Sequence, residues 1–365
     1  MGKTNEYLVS VIVPCYNAAS YLDVCMASIL GNYVPQMQII LVNNGSTDNT
    51  LELCNKYTEY GFVTVVDQEN QGHCGSKNAG MDVAKGKYIM FVDVDDELLP
   101  NSISEGISKI EKEQSDILCF GYTQSTEVDG RVIKTKDYIP DASYQCNTNE
   151  EVFNTIFWSI FGIPISAIQN WQRGEKLDRH KRFSSLWSHI YRRDIIERIH
   201  LRLDNNLFMY EDGIFNCRYL MECNKSSVLM KPCYLYKKRD VGITMTKYDV
   251  AKTDLKVPLL NERNKLRAEV MERYSIDILE WYAGSNVLSI FQMCRNYVLD
   301  NSGSNGYGEL EEFCKRNEIQ ESIKMYPVGG SIKYRIPVLI LKKGKIRVLY
   351  NSFVLLSKLK IDITI

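Results

Sequence analysis

The sequence predicts an α/β fold: a mostly parallel sheet flanked by helices, followed by a mainly helical C-terminal region. Three observations carry that expectation. Short apolar runs alternate with amphipathic stretches through the first hundred residues. A short polar segment follows each apolar run. From about residue 249 onward the apolar residues recur mainly at helical spacing.

Taken in order, "LVSVIVP" (8–14) reads as a buried strand, and "AASYLDVCMASIL" (18–30) sets Leu22, Cys25, Met26, Ile29 and Leu30 on one helical face. "QIILV" (38–42) is a second strand, and "GSTDNTLELCNKY" (45–57) opens with helix-capping side chains and continues as a helix. "FVTVV" (62–66) is a third strand, followed by a glycine-bearing loop over 67–78, a short helix, and the strand "KYIMFV" (87–92). Strands separated by helices imply parallel pairing and burial on both faces. Ligands gather beyond the carboxyl ends of such strands. Pro14–Asn17, Asn43–Ser46, the 67–78 loop and Asp93–Glu97 therefore share one rim.

Beyond residue 105 the pattern continues as a helix to about 114, strands in "DILCFGYT" and "RVIKTKDYI", and a helix near 150–160. "FSSLWSHIYRRDIIER" and "SSVLMKPCYLYKKRD" come next, a break falls near Thr246–Asp249, and "WYAGSNVLSIFQMCRNYVL" is the best-formed amphipathic helix. The expected organisation is 1–105, 106–248 and 249–365.

Composition narrows the function classes. A net charge of −1 over 365 residues gives no electrostatic reason to expect a nucleic-acid partner. The start "MGKTNEYLVS" lacks a signal-peptide pattern and no run of about 18 apolar residues occurs, so a cytoplasmic protein is expected. Eleven cysteines with no Cys-x-x-Cys pair, and four histidines off zinc-ligand spacing, read as reduced, buried thiols. Between Ser331 and Lys360 stand eight Lys or Arg residues and no acidic one, interleaved with apolar runs. Two readings are open there: peripheral contact with the inner face of an anionic membrane, or a solvated face of a helical subdomain.

The chemistry is concentrated in "KYIMFVDVDDELLP", where Asp93, Asp95, Asp96 and Glu97 crowd behind an apolar strand. A helix cap uses one carboxylate, not three neighbouring aspartates that repel one another. A hard divalent cation, Mn²⁺ or Mg²⁺, removes the repulsion and leaves positions for substrate phosphates. The Walker loop and the dinucleotide fingerprint are both missing, which removes the main support for ATPase and nicotinamide readings.

"VSVIVPCYNAASYLDVCMASIL", "IILVNNGSTDNT", "QENQGHCGSKNAG" and "KGKYIMFVDVDD", in this order and spacing, resemble the family 2 inverting glycosyltransferases of the GT-A fold, of the bacterial surface-polysaccharide type. "YEDGIFNCRYL" and "PCYLYKKRD" extend the resemblance to about residue 246. The resemblance implies a Rossmann-like sheet and transfer of a sugar, a hexose or N-acetylhexosamine, from a nucleotide-diphosphate donor to a hydroxyl of a surface-glycan or lipid-linked acceptor. It places Pro14 and Tyr16 at the base, with Asn17, Gly72, Lys77 and Asn78 close to the nucleotide. Asn44 stands where the family usually has an aspartate that accepts from uracil N3–H; an asparagine can accept there or donate, and a UDP-sugar is the first expectation. Asp93 is implied at the ribose or metal with Val94 beside it, Asp95 as the principal metal ligand, and Arg239 at the diphosphate. In the Glu211–Asp212 pair, Asp212 is implied as the base and Glu211 as a residue orienting the acceptor. Trp187 reads as core. The alternatives are a catalytically inactive nucleotide- or glycan-binding protein on the same fold, and a sugar nucleotidyltransferase, which would need a glycine-rich phosphate loop after the first strand.

Overall fold

β-Branched runs set the first half of the chain. A computed structural model describes residues 7–128, 131–162, 164–172, 183–239, 253–299, 306–326 and 332–358. In it Tyr7–Cys15 (β1), Met37–Asn44 (β2), Val63–Gln68 (β3) and Gly86–Phe91 (β4) pair in parallel in the order β3-β2-β1-β4. Val11, Ile12, Val13, Ile39, Ile40, Leu41, Met90 and Phe91 are buried, as a sheet covered on both faces requires. The helices Leu22–Leu30 (α1), Thr50–Lys56 (α2) and Gly72–Val83 (α3) are the crossovers. Leu22, Cys25, Met26 and Ile29 of α1 join the core cluster that contains Val9, Val11 and Val13.

Past β4 the sheet is mixed rather than parallel. Glu97–Leu98 (β5), Ile117–Val128 (β6), Arg131–Tyr138 (β7), His189–Arg192 (β8) and Ser226–Lys238 (β9) extend it as β4-β8-β6-β9-β5, with β7 on β6. β8 runs antiparallel to both β4 and β6, while β6 and β9 are parallel. β8 is the short strand "HIYR", entered from the 3₁₀ turn Leu186–Ser188. Ser102–Glu113 (α4) buries Ile103, Ile107 and Ile110, as its spacing predicts. The helix expected near 150–160 forms over 149–161 with a π-helical turn at Phe153–Phe157.

α3 begins earlier than the glycine-bearing loop suggests. Its first residue, Gly72, has φ +75°, in the left-handed region that glycine enters freely, and the helix already contains Lys77 and Asn78. Polar residues on its first turns hid it from a pattern read on apolar spacing.

The chain divides into two compact units. One comprises Met1–Ile160, His180–Asn205 and Glu211–Val241 and holds the sheet; the other comprises Phe161–Arg179, Asn206–Tyr210 and Gly242–Ile365. Among the described residues of the second unit the regular elements are helices: Ile165–Gln172, Val257–Tyr274, Leu279–Leu299, Gly306–Lys315, Asn317–Met325, Ile332–Lys342 and Ile346–Lys358. The expected break at Thr246–Asp249 lies outside the described residues. All eleven cysteines are free and buried, and no described helix is long and apolar enough to cross a membrane.

Candidate active site

The aspartates of "DVDD" do different jobs. Asp96 is buried; its Oδ2 accepts from the Tyr234 hydroxyl at 2.9 Å and its Oδ1 from the Lys237 backbone N–H at 2.8 Å. Burial, then Asp93 and Asp95, push its carboxyl well above the usual carboxylate range. Asp96 therefore ties the post-β4 loop to β9, and Tyr234 also accepts from the Asp93 N–H at 3.1 Å. Asp93 and Asp95 remain as oxygen donors facing out, with side chains 27% and 47% exposed. Val94 between them packs against the core.

Each of these two carboxylates meets a cation of the chain. Arg239 donates through Nη1 to Asp95 Oδ2 at 2.8 Å and through Nη2 to the Asp95 carbonyl at 2.7 Å, and its guanidinium lies 4.7 Å over the Tyr21 ring. Even so, burial and the charge of Asp93 raise the Asp95 carboxyl above its ordinary value. Lys77 Nζ lies 3.9 Å from Asp93 Oδ1 and 3.3 Å from Asp212 Oδ1, with its side chain 1% exposed. Burial opposes its charge, but Asp212, Asp93 and Glu211 outweigh it and hold the ammonium above the ordinary lysine value.

Asp212 and Glu211 open the helix Glu211–Met221, where the helix dipole favours negative charge. Asp212 Oδ2 accepts from the Leu186 backbone N–H at 3.0 Å. Glu211, pushed up to about 7 by burial and by Asp212, stands 3.7 Å from His73 Nε2. His73, on the first turn of α3, is held below its usual value by Lys77 and by burial. Ligand-capable atoms of His73, Glu211 and Asp212 lie within 4.8 Å of one another. The Lys77 ammonium already pairs with Asp212, so this group reads as an acid–base cluster beside the Asp93–Asp95 donors.

The remaining expected site residues surround the ends of β1 and β2. Pro14 pairs with Val42 in the sheet, and Tyr16 follows with a half-exposed ring. Asn17, at φ 48°, accepts through Oδ1 from the Thr47 N–H at 2.8 Å and so ties the two rim loops together. Asn44 is buried and its amide is saturated: Oδ1 accepts from Gln68 Nε2 and the Gln71 N–H, and Nδ2 donates to Asn70 Oδ1 and the Gly72 carbonyl. The loop presses so close that a Cβ on Gly45 would lie 2.6 Å from the Asn70 nitrogen. Asn78 exchanges two hydrogen bonds with the Leu203 backbone, at 2.8 and 2.9 Å.

Asp212 and Glu211, beside the internal cation Lys77, can exchange protons, and Asp93 and Asp95 next to them are oxygen donors of the kind that hold hard metals. The sequence model of glycosyl transferase family 2 matches residues 10–199, more than half of the chain. The chain belongs to this family. As a family 2 glycosyltransferase it is 28% identical over 246 residues to glycosyltransferase GlyG of Streptococcus pneumoniae, covering 67% of this chain and 75% of that one. It is 26% identical over 225 residues to the cholesterol galactosyltransferase of Borreliella burgdorferi, covering 61% of this chain and 58% of that one. The fold is that of TarS of S. aureus, residues 1–349, solved with UDP-GlcNAc, at TM-score 0.60, 19% identity and coverage of 97% and 92%.

Trp187 is core: it stacks on Tyr234 at 4.4 Å and on Tyr236 at 5.8 Å. Sequence reasoning missed His73, Tyr21, Tyr234 and the Leu186 N–H. A histidine directly after the glycine that opens α3 was the one local signal among them.

Proposed function

We propose that this glycosyltransferase moves a sugar, with inversion, from a UDP-sugar to a hydroxyl of a lipid-linked or surface glycan. The acceptor would be met at a membrane surface. The observation that supports the reading is the Lys77 ammonium within 4 Å of both Asp93 and Asp212, so that the carboxylate read as the base lies close to one read as a metal ligand. The UDP-GlcNAc complex of the structurally similar TarS supports the choice of donor.

Asp212 is the base of this reading. As the acceptor oxygen attacks the anomeric carbon, Asp212 takes its proton and the bond to the diphosphate breaks on the opposite face. Lys77 and the Leu186 N–H hold that carboxylate in place, and Glu211 orients the acceptor hydroxyl. Asp93 and Asp95, two partly exposed carboxylates, fit Mn²⁺ or Mg²⁺, which when bound would offset the charge of the departing diphosphate. Arg239 would supply a second positive charge to the same oxygens.

The test is a screen of nucleotide-sugars with Mn²⁺, reading release of free nucleotide. A UDP-sugar should give turnover, and Asp212→Asn should lower it about 10²–10⁴-fold while UDP still binds. Full turnover by Asp212→Asn would remove it from the mechanism. Release from no nucleotide-sugar would overturn the donor reading.

A further inference from the structure

We propose that the outward face of the helix Ile346–Lys358, with the turn before it, docks on an anionic lipid bilayer. The helix has two faces. Ile346, Leu349 and Phe353 are buried, whereas Arg347, Val348, Asn351, Leu355 and Lys358 are exposed. Those exposed residues recur at steps of three and four and form one stripe. Within it stand two aliphatic side chains, Val348 at 49% and Leu355 at 58% exposure, bracketed by cations at both ends.

The preceding turn adds charge to that stripe. Gly344, at φ +64°, reverses the chain between the helices and leaves Lys343 and Lys345 exposed on either side. Lys342 is already used, because its Nζ donates to the Tyr326 carbonyl at 2.7 Å and to the Lys324 carbonyl at 3.2 Å. Lys343 and Lys345 form no side-chain ion pair among the described residues, and the stretch 332–358 contains no carboxylate to offer them one. Lys345 and Arg347 moreover sit at the N-terminal end of the helix, where the dipole is already positive. A surface shaped for stability alone would place acids there. The repulsion is relieved by an external sheet of negative charge, and each basic residue near such a surface adds to the attraction.

The aliphatic pair selects the partner. A nucleic acid would engage the cations and leave Val348 and Leu355 in water. A bilayer takes both, with the apolar side chains at the acyl boundary and the cations among the phosphates. The surface does not depend on the donor chemistry, and a failure of one leaves the other standing.

The experiment is co-sedimentation of the full chain with phosphatidylcholine vesicles, with and without about one-third phosphatidylglycerol. Binding is expected to the anionic vesicles alone and should fade at high salt. Lys343→Glu with Lys345→Glu should lower the bound fraction about tenfold, and Val348→Ser with Leu355→Ser should lower it as well. Both pairs are exposed, so unfolding midpoints should stay put; if charge reversal shifts the midpoint, the Lys343→Gln, Lys345→Gln pair replaces it. Equal binding to neutral vesicles, no binding, or indifference to the lysine changes would overturn the proposal. Indifference to the Val348 and Leu355 changes, together with tight capture on RNA, would overturn it in favour of a polyanion.

Discussion

Lys77 and Asp212, 135 positions apart in the chain, meet at 3.3 Å between Nζ and Oδ1, and the lysine has almost no contact with water. This pair joins α3 to the helix Glu211–Met221.

Removing the cation should therefore destabilise the chain as well as disable it. Lys77→Met leaves Asp93, Asp212 and Glu211 facing one another without compensation. Breaking a fully buried pair costs about 3–5 kcal/mol; with Asp93 and Asp212 still partly wet, about 2–3 kcal/mol is expected here, read by denaturant unfolding at neutral pH. The folded-state pKa of Lys77 is raised, so its contribution is present below the ordinary lysine value and is lost as pH climbs through the folded one. An unfolding free energy equal to that of the unaltered chain would show the pair to be inert.

Glu211 gives a pH signature of the same sign in a lower window. Its folded value is raised from 4.5 to about 7, so between those values the folded chain binds more protons than the unfolded one. Stability should fall as pH rises from about 4.5 to about 7, by about 3 kcal/mol from this group. Glu211→Gln should flatten that stretch of the stability profile, and a slope left intact would assign it to another group.

Asn44→Asp probes the saturated amide. The carboxylate keeps the bonds from Gln68 and Gln71 but turns an acceptor toward Asn70 Oδ1 and the Gly72 carbonyl. A loss of about 1–3 kcal/mol is expected, measured as a lower Tm and as faster proteolysis within 68–72. A gain in Tm would mean that the loop re-forms around an acidic residue.

Arg239→Ala should act with two signs. Freed of its guanidinium partner, Asp95 should bind Mn²⁺ alone more tightly, seen as less free Mn²⁺ by electron paramagnetic resonance. UDP in the presence of Mn²⁺ should bind about 10–100-fold more weakly, the scale of a charged hydrogen bond to phosphate. Parallel weakening of both would show that Arg239 only supports the loop.

The sequence by itself determined the strands β1–β4 and the helices between them: β1, β2 and β4 are mostly buried on both faces, which writes continuous apolar runs, and the edge strand β3 keeps a shorter one. It also located the rim, since strand ends follow from strand order. It could not show that Lys77 is internal, because a lysine on a polar helix turn reads as a surface charge until Asp212 is brought to it. Nor could it divide labour within "DVDD": Asp96 becomes structural through Tyr234 and Lys237 of β9, a strand more than a hundred residues on. Asn44 likewise looked free to meet a base, and the fold of the 68–72 loop consumed its amide. Local pattern fixes which residues are buried within an element, whereas the partner of a charge or an amide depends on which distant segment packs against it, and that the tertiary structure alone decided.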